Sequence, residues 1–330
     1  MISLPQPGAV VDAMGVDPES LRAERDRVGR KLRLAKYAGL GAFGLLFLLQ
    51  LSGVFGVFDV RSILPVFLGG VITLVVLGGL GWWFLRRATK PLTERLDTEL
   101  VGPLLRTYAA EVDRLNGTTG GHLELGRADE GLLRAAEVVD TGDDVRADDA
   151  VRGTLAGEPL RIGEYKVTET RGTDDNRRTV TLFHGTVAEV RTARPISSTL
   201  RIVPRSKEEF SGAGLFSGGG VPMENPAMNK AFKVFTDTPQ EAYFVLPQTV
   251  QEQLVAVAAE HDGGLGLRAE GDRLLVALHR DDGVFDVSLT STRPLRECLE
   301  AIVGQLNDTV HTASLLGAWG GRMERPAALR

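Results

Sequence analysis

Two long apolar runs dominate the hydrophobic pattern of the first hundred residues. Residues 37–58 and 62–85 contain no charged residue, and between them only Asp59 and Arg61 carry charge. Each run exceeds the roughly 20 residues that an α-helix needs to cross about 30 Å of hydrocarbon. One helix over both runs would be about twice too long for a bilayer. The pattern therefore predicts an N-terminal transmembrane helical hairpin over 37–85, with Asp59 and Arg61 in its turn.

Positive charges concentrate on the two flanks of the predicted hairpin. The turn holds only Arg61, whereas the flanks hold ten Lys/Arg: Arg22, Arg25, Arg27, Arg30, Lys31, Arg33, Lys36, Arg86, Arg87 and Lys90. Lys and Arg near membrane spans stay on the cytoplasmic side. The sequence therefore predicts a multi-pass protein of the cytoplasmic membrane with both termini cytoplasmic, and the lipid bilayer is its first predicted partner.

Helical patterns precede and follow the apolar runs. Residues 1–36 form a predicted cytoplasmic N-terminal helix, in which Asp17 is a cap and Pro18 takes the first helical position. Within residues 86–121, apolar residues recur every four positions and predict a membrane-proximal amphipathic helix. That stripe consists of Leu92, Leu96, Leu100, Leu104, Tyr108 and Val112.

From about residue 122 the pattern changes to alternation of apolar and polar positions. Residues 150–172 and 177–205 are rich in Val, Thr and Ile, which is typical of antiparallel strands with one solvated face. Further predicted elements are a strand at 230–237, a helix at 246–261, a hairpin and strand within 264–289, and an amphipathic helix at 294–316. The predicted fold class is α+β: the hairpin, the connecting helix, and a soluble domain (122–320) of antiparallel strands with two packed helices, before a tail at 321–330.

Charge is unevenly distributed along the chain. The formal net charge is −5, but residues 91–330 hold 27 Lys/Arg and 37 Asp/Glu and therefore carry −10. An acidic domain of this kind argues against nucleic acid as a partner. The single cysteine, Cys298, excludes an internal disulfide and a cysteine-built zinc site.

The sequence contains no recognised catalytic or nucleotide-binding motif. H-E-x-x-H, G-x-S-x-G and the P-loop are absent, and the five histidines show no helical pair spacing. The acidic run 140–149 is the one candidate cation site, although it lacks the glycine and final glutamate of an EF-hand loop. A solvated acidic turn is the alternative. We therefore assign no catalytic, cofactor-binding or metal-ligating residue and expect no cofactor.

The segment ENPAMNKAFKVFTDTPQEAYFVLPQTVQEQL, residues 224–254, resembles a bacterial family known as domain of unknown function 3137. The matching residues are Pro226, Phe232, Val234, Phe235, Thr236, Glu241, Ala242, Tyr243, Leu246 and Pro247. A second segment, 148–167, is similar at Asp149, Val151, Gly153 and Glu164. The resemblance covers most of 37–290. It implies two spans followed by a helix and this domain, it suggests a LemA-like membrane protein as a partner, and it implies no activity.

Three functional hypotheses follow from these patterns. The leading one is a non-enzymatic, membrane-tethered scaffold or protein-interaction module on the cytoplasmic face, because no clustered catalytic set occurs. The second is a membrane-associated, hydrolase-like enzyme that uses acidic residues of 140–149 or His184 in a pocket. The third is lipid or small-ligand sensing by the β-rich domain, which requires an apolar cavity or a basic face.

Overall fold

The computed structural model describes residues 2–34, 87, 89–172, 176–205, 220–262, 264–280, 285, 287 and 292–321. The chain divides into two compact units. The first unit comprises Met1–Gly15, Val101–Asp286 and Leu299–Arg330, and the second comprises Val16–Leu100 and Val287–Cys298.

Ten helices occur in the described ranges, together with a 3₁₀ turn at Pro18–Leu21 and a π-helical turn at Asp97–Val101. The helices are α1 (Pro7–Ala13), α2 (22–34), α3 (89–96), α4 (Gly102–Asn116), α5 (Glu130–Ala136), α6 (Pro226–Ala231), α7 (Pro239–Val245), α8 (Gln248–Glu260), α9 (Leu295–Ser314) and α10 (Ala318–Gly321).

No helix in these ranges is long and apolar enough to cross a membrane. Helix α9 has 20 residues, but it carries charged residues in several turns, so only one of its faces is apolar. This finding contradicts the predicted N-terminal transmembrane hairpin and the multi-pass membrane location that depended on it, and we retain neither. The segments that carried the prediction, 37–58 and 62–85, lie outside the described residues.

The second unit contains the predicted cap at the start of its first helical segment. The Asp17 carboxylate accepts a hydrogen bond from the Glu19 N–H at 3.0 Å, which confirms the prediction. Helices α2 and α3 are joined by an ion pair between Arg95 Nη1 and Glu24 Oε2 at 2.7 Å. Arg25 of α2 is buried and donates from Nη2 to the carbonyl of Arg293 at 2.7 Å.

The first unit is built on an antiparallel sheet that has six strands in the described part of the chain. The strands are β1 (His122–Arg127), β2 (Asp144–Leu155), β3 (Glu158–Arg171), β4 (Arg178–Pro204), β5 (Phe232–Thr236) and β6 (Leu265–His279). Strands β1 to β5 are neighbours in chain order, and β6 pairs with β4. The predicted antiparallel β-domain with helices is therefore confirmed.

Strand β4, 27 residues long, organises the sheet. Residues 185–190 pair with β3 on one edge and with β6 on the other. Residues 200–202 pair with β5 and β6, so β5 continues the edge that β3 leaves. Register shifts between these two stretches let β4 change neighbour on one edge while it keeps β6 on the other.

Strands β2 and β3 are joined by a two-residue turn at Ala156 and Gly157. Both residues have positive φ, +49° and +78°, which is the combination that matches the twist of a tight hairpin. Nearby in β2, Gly153 has φ +154°, and a Cβ built on it would collide with the carbonyl oxygen of His122 on β1. Glycine at 153 therefore permits the close approach of β1 and β2.

One face of the sheet packs against helix α5. We call this cluster the α5 core: Leu132, Leu133, Ala136, Val138, Val139, Tyr165, Val167, Leu182, Phe183, Val187, Val203, Leu275 and Ala277. The Tyr165 hydroxyl donates to the carbonyl of Asp129, the N-cap residue of α5, at 2.6 Å. Burial raises the pKa of Tyr165 well above its ordinary value. The hydroxyl therefore stays protonated and fixes the start of α5 to β3.

The apolar stripes predicted for the two long helical segments are buried. Leu92, Leu96, Leu100, Leu104, Tyr108 and Val112 are buried, as are Leu295, Leu299, Ile302, Leu306, Val310 and Ala313. The Tyr108 hydroxyl donates to Asn307 Oδ1 at 3.0 Å, and Asn307 Nδ2 donates to the Pro5 carbonyl at 2.9 Å. These bonds tie α4, α9 and the N-terminal segment of the first unit together.

Three local predictions differ from the structure. Part of the predicted acidic turn is strand, because β2 begins at Asp144. Residues 265–279 form one strand rather than a hairpin, and Gly271, with φ +58°, lies where the register shifts. More helices than the two predicted pack in this unit, including the short α6 and α7 on either side of β5.

Candidate functional site

The acidic residues of 140–149 are engaged in the fold. Asp143 Oδ2 accepts the backbone N–H of Thr170 at 2.7 Å, and Asp148 Oδ1 pairs with Arg146 Nε at 2.7 Å. In the part of the chain that the structure describes, no group of three or more His, Cys, Asp or Glu residues could hold a metal ion. The acidic run therefore presents no assembled cation site.

His184 lies beside a buried carboxylate. Its Nε2 is 3.8 Å from Oε1 of Glu164, whose side chain is only 6% exposed. Glu164 lies opposite Thr186 on the neighbouring strand, and its Oε2 accepts the N–H of Phe285 at 3.5 Å. The sequence pattern indicated Glu164 only as a strand residue, and the fold brings it next to His184.

Two of the aspartates also lie near this pair in the sheet. The register of β2 against β3 places Asp148 and Asp149 together opposite Glu164, in a bulge. A histidine with a carboxylate can move a proton only where a substrate can reach it. The Thr186 hydroxyl is fully buried and has no hydrogen-bond partner among the described residues. The cluster therefore has the geometry of a buried polar contact within the sheet.

The family-like segment places Glu241 at the start of α7, against the irregular part of β4. Its carboxylate accepts the backbone N–H groups of Ser197 (2.7 Å) and Ser198 (3.0 Å). It also accepts both serine hydroxyls, at 3.0 and 2.7 Å. These hydrogen bonds, led by the one from the Ser197 N–H, lower the pKa of Glu241 below its ordinary value of 4.5. Glu241 thus fixes α7 to β4, and the adjacent Phe244 is 85% exposed.

Glu241→Gln is expected to lower the melting temperature at pH 7 by a few degrees, because an amide cannot accept all four hydrogen bonds. The depressed pKa means that the carboxylate stabilises the fold above its ordinary pKa of 4.5, and that this contribution is lost as pH falls through the folded-state pKa. Thermal melts from pH 7 down to about 3 should therefore show the two proteins converging in acid. Glu252→Gln, an exposed glutamate on α8, is the control. A difference that persists unchanged at the acid end would contradict the assigned role.

Four arginines, on four different strands, lie on an exposed part of the sheet face that packs against α5, since Glu189 of the same row lies opposite Leu275 of the α5 core. Arg152 of β2 lies directly opposite Arg161 of β3, and Arg191 of β4 lies directly opposite Arg273 of β6. Glu189 of β4 lies between the two pairs. Its Oε2 accepts from Arg161 Nη1 at 3.1 Å and its Oε1 from Arg273 Nε at 2.7 Å. We call these five residues the arginine surface.

The members of the arginine surface differ in how well they are paired. The Arg161 and Arg273 side chains are about half exposed, at 49% and 52%, and both bind Glu189, which is 18% exposed. Arg152 and Arg191 are also exposed. Neither side chain makes a hydrogen bond or ion pair within the described part of the chain. Two guanidinium groups on this surface are therefore available to a ligand.

This arrangement is unfavourable for the fold taken alone. Like charges directly opposite each other on neighbouring strands destabilise a sheet by roughly 0.2–1 kcal/mol per pair. Glu189 and Asp129, whose Oδ2 lies 3.9 Å from Arg161 Nη2, supply two carboxylates for four guanidinium groups. Glu124 lies opposite Arg152 on β1, but its carboxylate pairs with His122 Nε2 at 3.0 Å. A local excess of positive charge therefore remains on a chain segment whose net charge is negative.

Sequence reasoning did not find this surface. Each of the four arginines lies on a different strand, and each one alone looks like an ordinary solvated residue. Their convergence depends on the pairing register, which brings residues from 152 to 273 into two adjacent rows.

Comparison with known proteins gives one family match. Among solved structures, the chain is similar to the mycobacterial trehalose monomycolate transport factor A, TtfA, at 16% identity and a TM-score of 0.30, over 59% of this chain and 88% of that chain. That score is too low to support a common fold. No curated protein matches the chain. Residues 181–316, which run from within β4 to two residues past α9, match the family described as a protein of unknown function, DUF3137. This match supports membership of the chain in the DUF3137 family.

Proposed function

We propose that this chain is a non-enzymatic protein-interaction module that binds its partner through the arginine surface. The supporting observation is the pair of directly opposed arginine couples on an exposed part of the sheet, with the side chains of Arg152 and Arg191 unpaired within the described residues. Arginine is enriched at the energetic centres of protein interfaces. Side chains on sheet strands are also held by a rigid backbone, which lowers the ordering cost of binding.

The interaction module is better supported than the hydrolase-like alternative. The carboxylate that His184 approaches is buried, and the hydroxyl opposite that carboxylate on β4 is fully buried as well. A substrate would have to open the sheet to reach them. Small-ligand sensing has no comparable supporting observation. A LemA-like protein, which the family resemblance suggests, is the first partner to test.

Site-specific photo-crosslinking in the native host tests the proposed function. A photoreactive amino acid at Glu124, on the rim of the arginine surface, is expected to capture a protein partner reproducibly. The same amino acid at Gln253, exposed on α8, is the matched control and should not capture that partner. Identical products from both positions, or no product from position 124 at native expression, would contradict the proposal.

A further inference from the structure

We infer that the arginine surface binds an acidic polypeptide segment, whose carboxylates pair with Arg152 and Arg191 while Glu189 stays bound to Arg161 and Arg273. This inference rests on the proposed function and specifies the chemistry of the partner. It assigns separate roles to the two kinds of arginine on the surface. One kind holds the sheet face together through Glu189, and the other kind receives the ligand.

The donors that remain on this surface suit carboxylates. A guanidinium group carries five N–H donors in a planar fork that matches a carboxylate with two parallel hydrogen bonds. Arg161 and Arg273 each spend donors on Glu189. Arg152 and Arg191 spend none on any described residue, and both are exposed. An incoming carboxylate at either arginine also relieves the repulsion from the arginine opposite.

The spacing of the two unpaired arginines favours an extended segment. Strands β2 and β4 are separated by β3, so they lie about 10 Å apart across the sheet. Glu189 of β4 lies in the same row as Arg152. Arg191 lies two residues further along β4, which adds about 7 Å along the strand. The two backbone positions are therefore roughly 12 Å apart. In an extended chain, side chains four residues apart face the same way and are about 13 Å apart.

A polypeptide fits this surface better than a polyphosphate or nucleic acid. Glu189 occupies the centre of the surface, and Glu124 lies at its rim. A ligand with a charge on every unit would place some of its charges against these carboxylates. Residues 91–330 as a whole, the surface included, carry a net charge of −10, which repels a long polyanion. A segment with a few spaced carboxylates avoids both penalties.

This inference is tested by fluorescence anisotropy at low salt, which measures the binding of labelled peptides to the full chain. The probe is a short peptide with two glutamates about four residues apart in a Gly/Ser/Thr background. We expect it to bind at least roughly tenfold more tightly than the same peptide with glutamines. Arg152→Gln/Arg191→Gln should remove that difference. Arg106→Gln/Lys230→Gln, which removes two charges from other exposed positions, should keep it.

Glu189→Gln is expected to raise the affinity for the acidic peptide, whereas Arg152→Gln/Arg191→Gln lowers it. Without the internal carboxylate, Arg161 and Arg273 become additional sites for the peptide, so we expect binding several-fold tighter than that of the unaltered chain. A variant that only disturbs the fold would weaken binding instead. Circular dichroism and thermal melts of every variant establish that each one is folded before binding is compared.

Several outcomes would overturn the inference. One is equal affinity of the unaltered chain and Arg152→Gln/Arg191→Gln for the acidic peptide. Another is tighter binding of short polyphosphate or single-stranded DNA than of the peptide. The proposed function fails separately: crosslinking at position 124 with no captured protein would reject the interaction module whatever the peptides do. If a captured partner bound Arg152→Gln/Arg191→Gln as tightly as the unaltered chain, only the inference of an acidic segment would be rejected.

Discussion

Replacing Phe183 with alanine is expected to lower the free energy of unfolding by about 3–5 kcal/mol. The ring is fully buried in the α5 core, and it lies edge-on to His279 of β6, with 6.2 Å between ring centroids. Alanine would leave a cavity at the point where β4, β6 and α5 meet, and a sheet fixed by pairing on both edges of β4 cannot easily collapse into it. Urea denaturation followed by circular dichroism measures the change.

Phe244→Ala is the matched control, because that ring is 85% exposed. Its effect on unfolding should stay within about 0.5 kcal/mol. If the two phenylalanine variants were equally stable, the α5 core would not have the role that its burial indicates. An unchanged m-value in both variants would show that the comparison concerns stability rather than the denatured state.

Gly153→Ala is expected to destabilise the chain by about 3 kcal/mol, the second-largest effect in this set. Two costs combine at this position. The backbone has φ +154°, which residues with a Cβ rarely adopt, and the new methyl group would collide with the His122 carbonyl. Strand β1 would have to move away from β2 to relieve the collision. The change is measured by the same urea titration.

Gly271→Ala separates these two costs. Gly271 also has positive φ, +58°, but a Cβ there would have nothing within 4 Å. Its expected cost is the conformational penalty alone, about 1–2 kcal/mol. Equal destabilisation by the two substitutions would show that the close approach of β1 to β2 is not what requires glycine at position 153.

The sequence predicted the helices and strands in which one buried face repeats at a regular interval. The stripes over residues 92–112 and along α9 were correct to the residue, because a helix with one buried face repeats its apolar positions every three or four residues. The alternating pattern over 177–205 likewise identified β4. The short helix α7 was missed because seven residues between a strand and a longer helix contain too few turns to show a period. The apolar runs 37–58 and 62–85 led to a transmembrane prediction that is not retained. Hydropathy measures how apolar a segment is, but it does not determine where the segment lies in the folded protein.

The arginine surface could not be predicted, because it depends on register. The two-residue turn at Ala156 and Gly157 sets Arg152 opposite Arg161. The bulge at Asp148 and Asp149 shifts the rest of β2 by one residue relative to β3. A slip of one residue in either place would send Arg152 to the other face of the sheet. Composition and periodicity carry no information about such a slip, so only the folded pairing shows the surface.

The separation of β4 and β6 along the sequence affects folding during translation. Strand β4 ends at Pro204, but its partner along one edge, β6, ends only at His279. At synthesis rates of roughly 5–20 residues per second, that edge waits on the order of 4–15 s for its native partner to emerge from the ribosome. An unpaired edge of this length can recruit strands of other nascent chains. Between the completion of β4 and the arrival of β6, translation therefore exposes this edge to pairing with the strands of other chains.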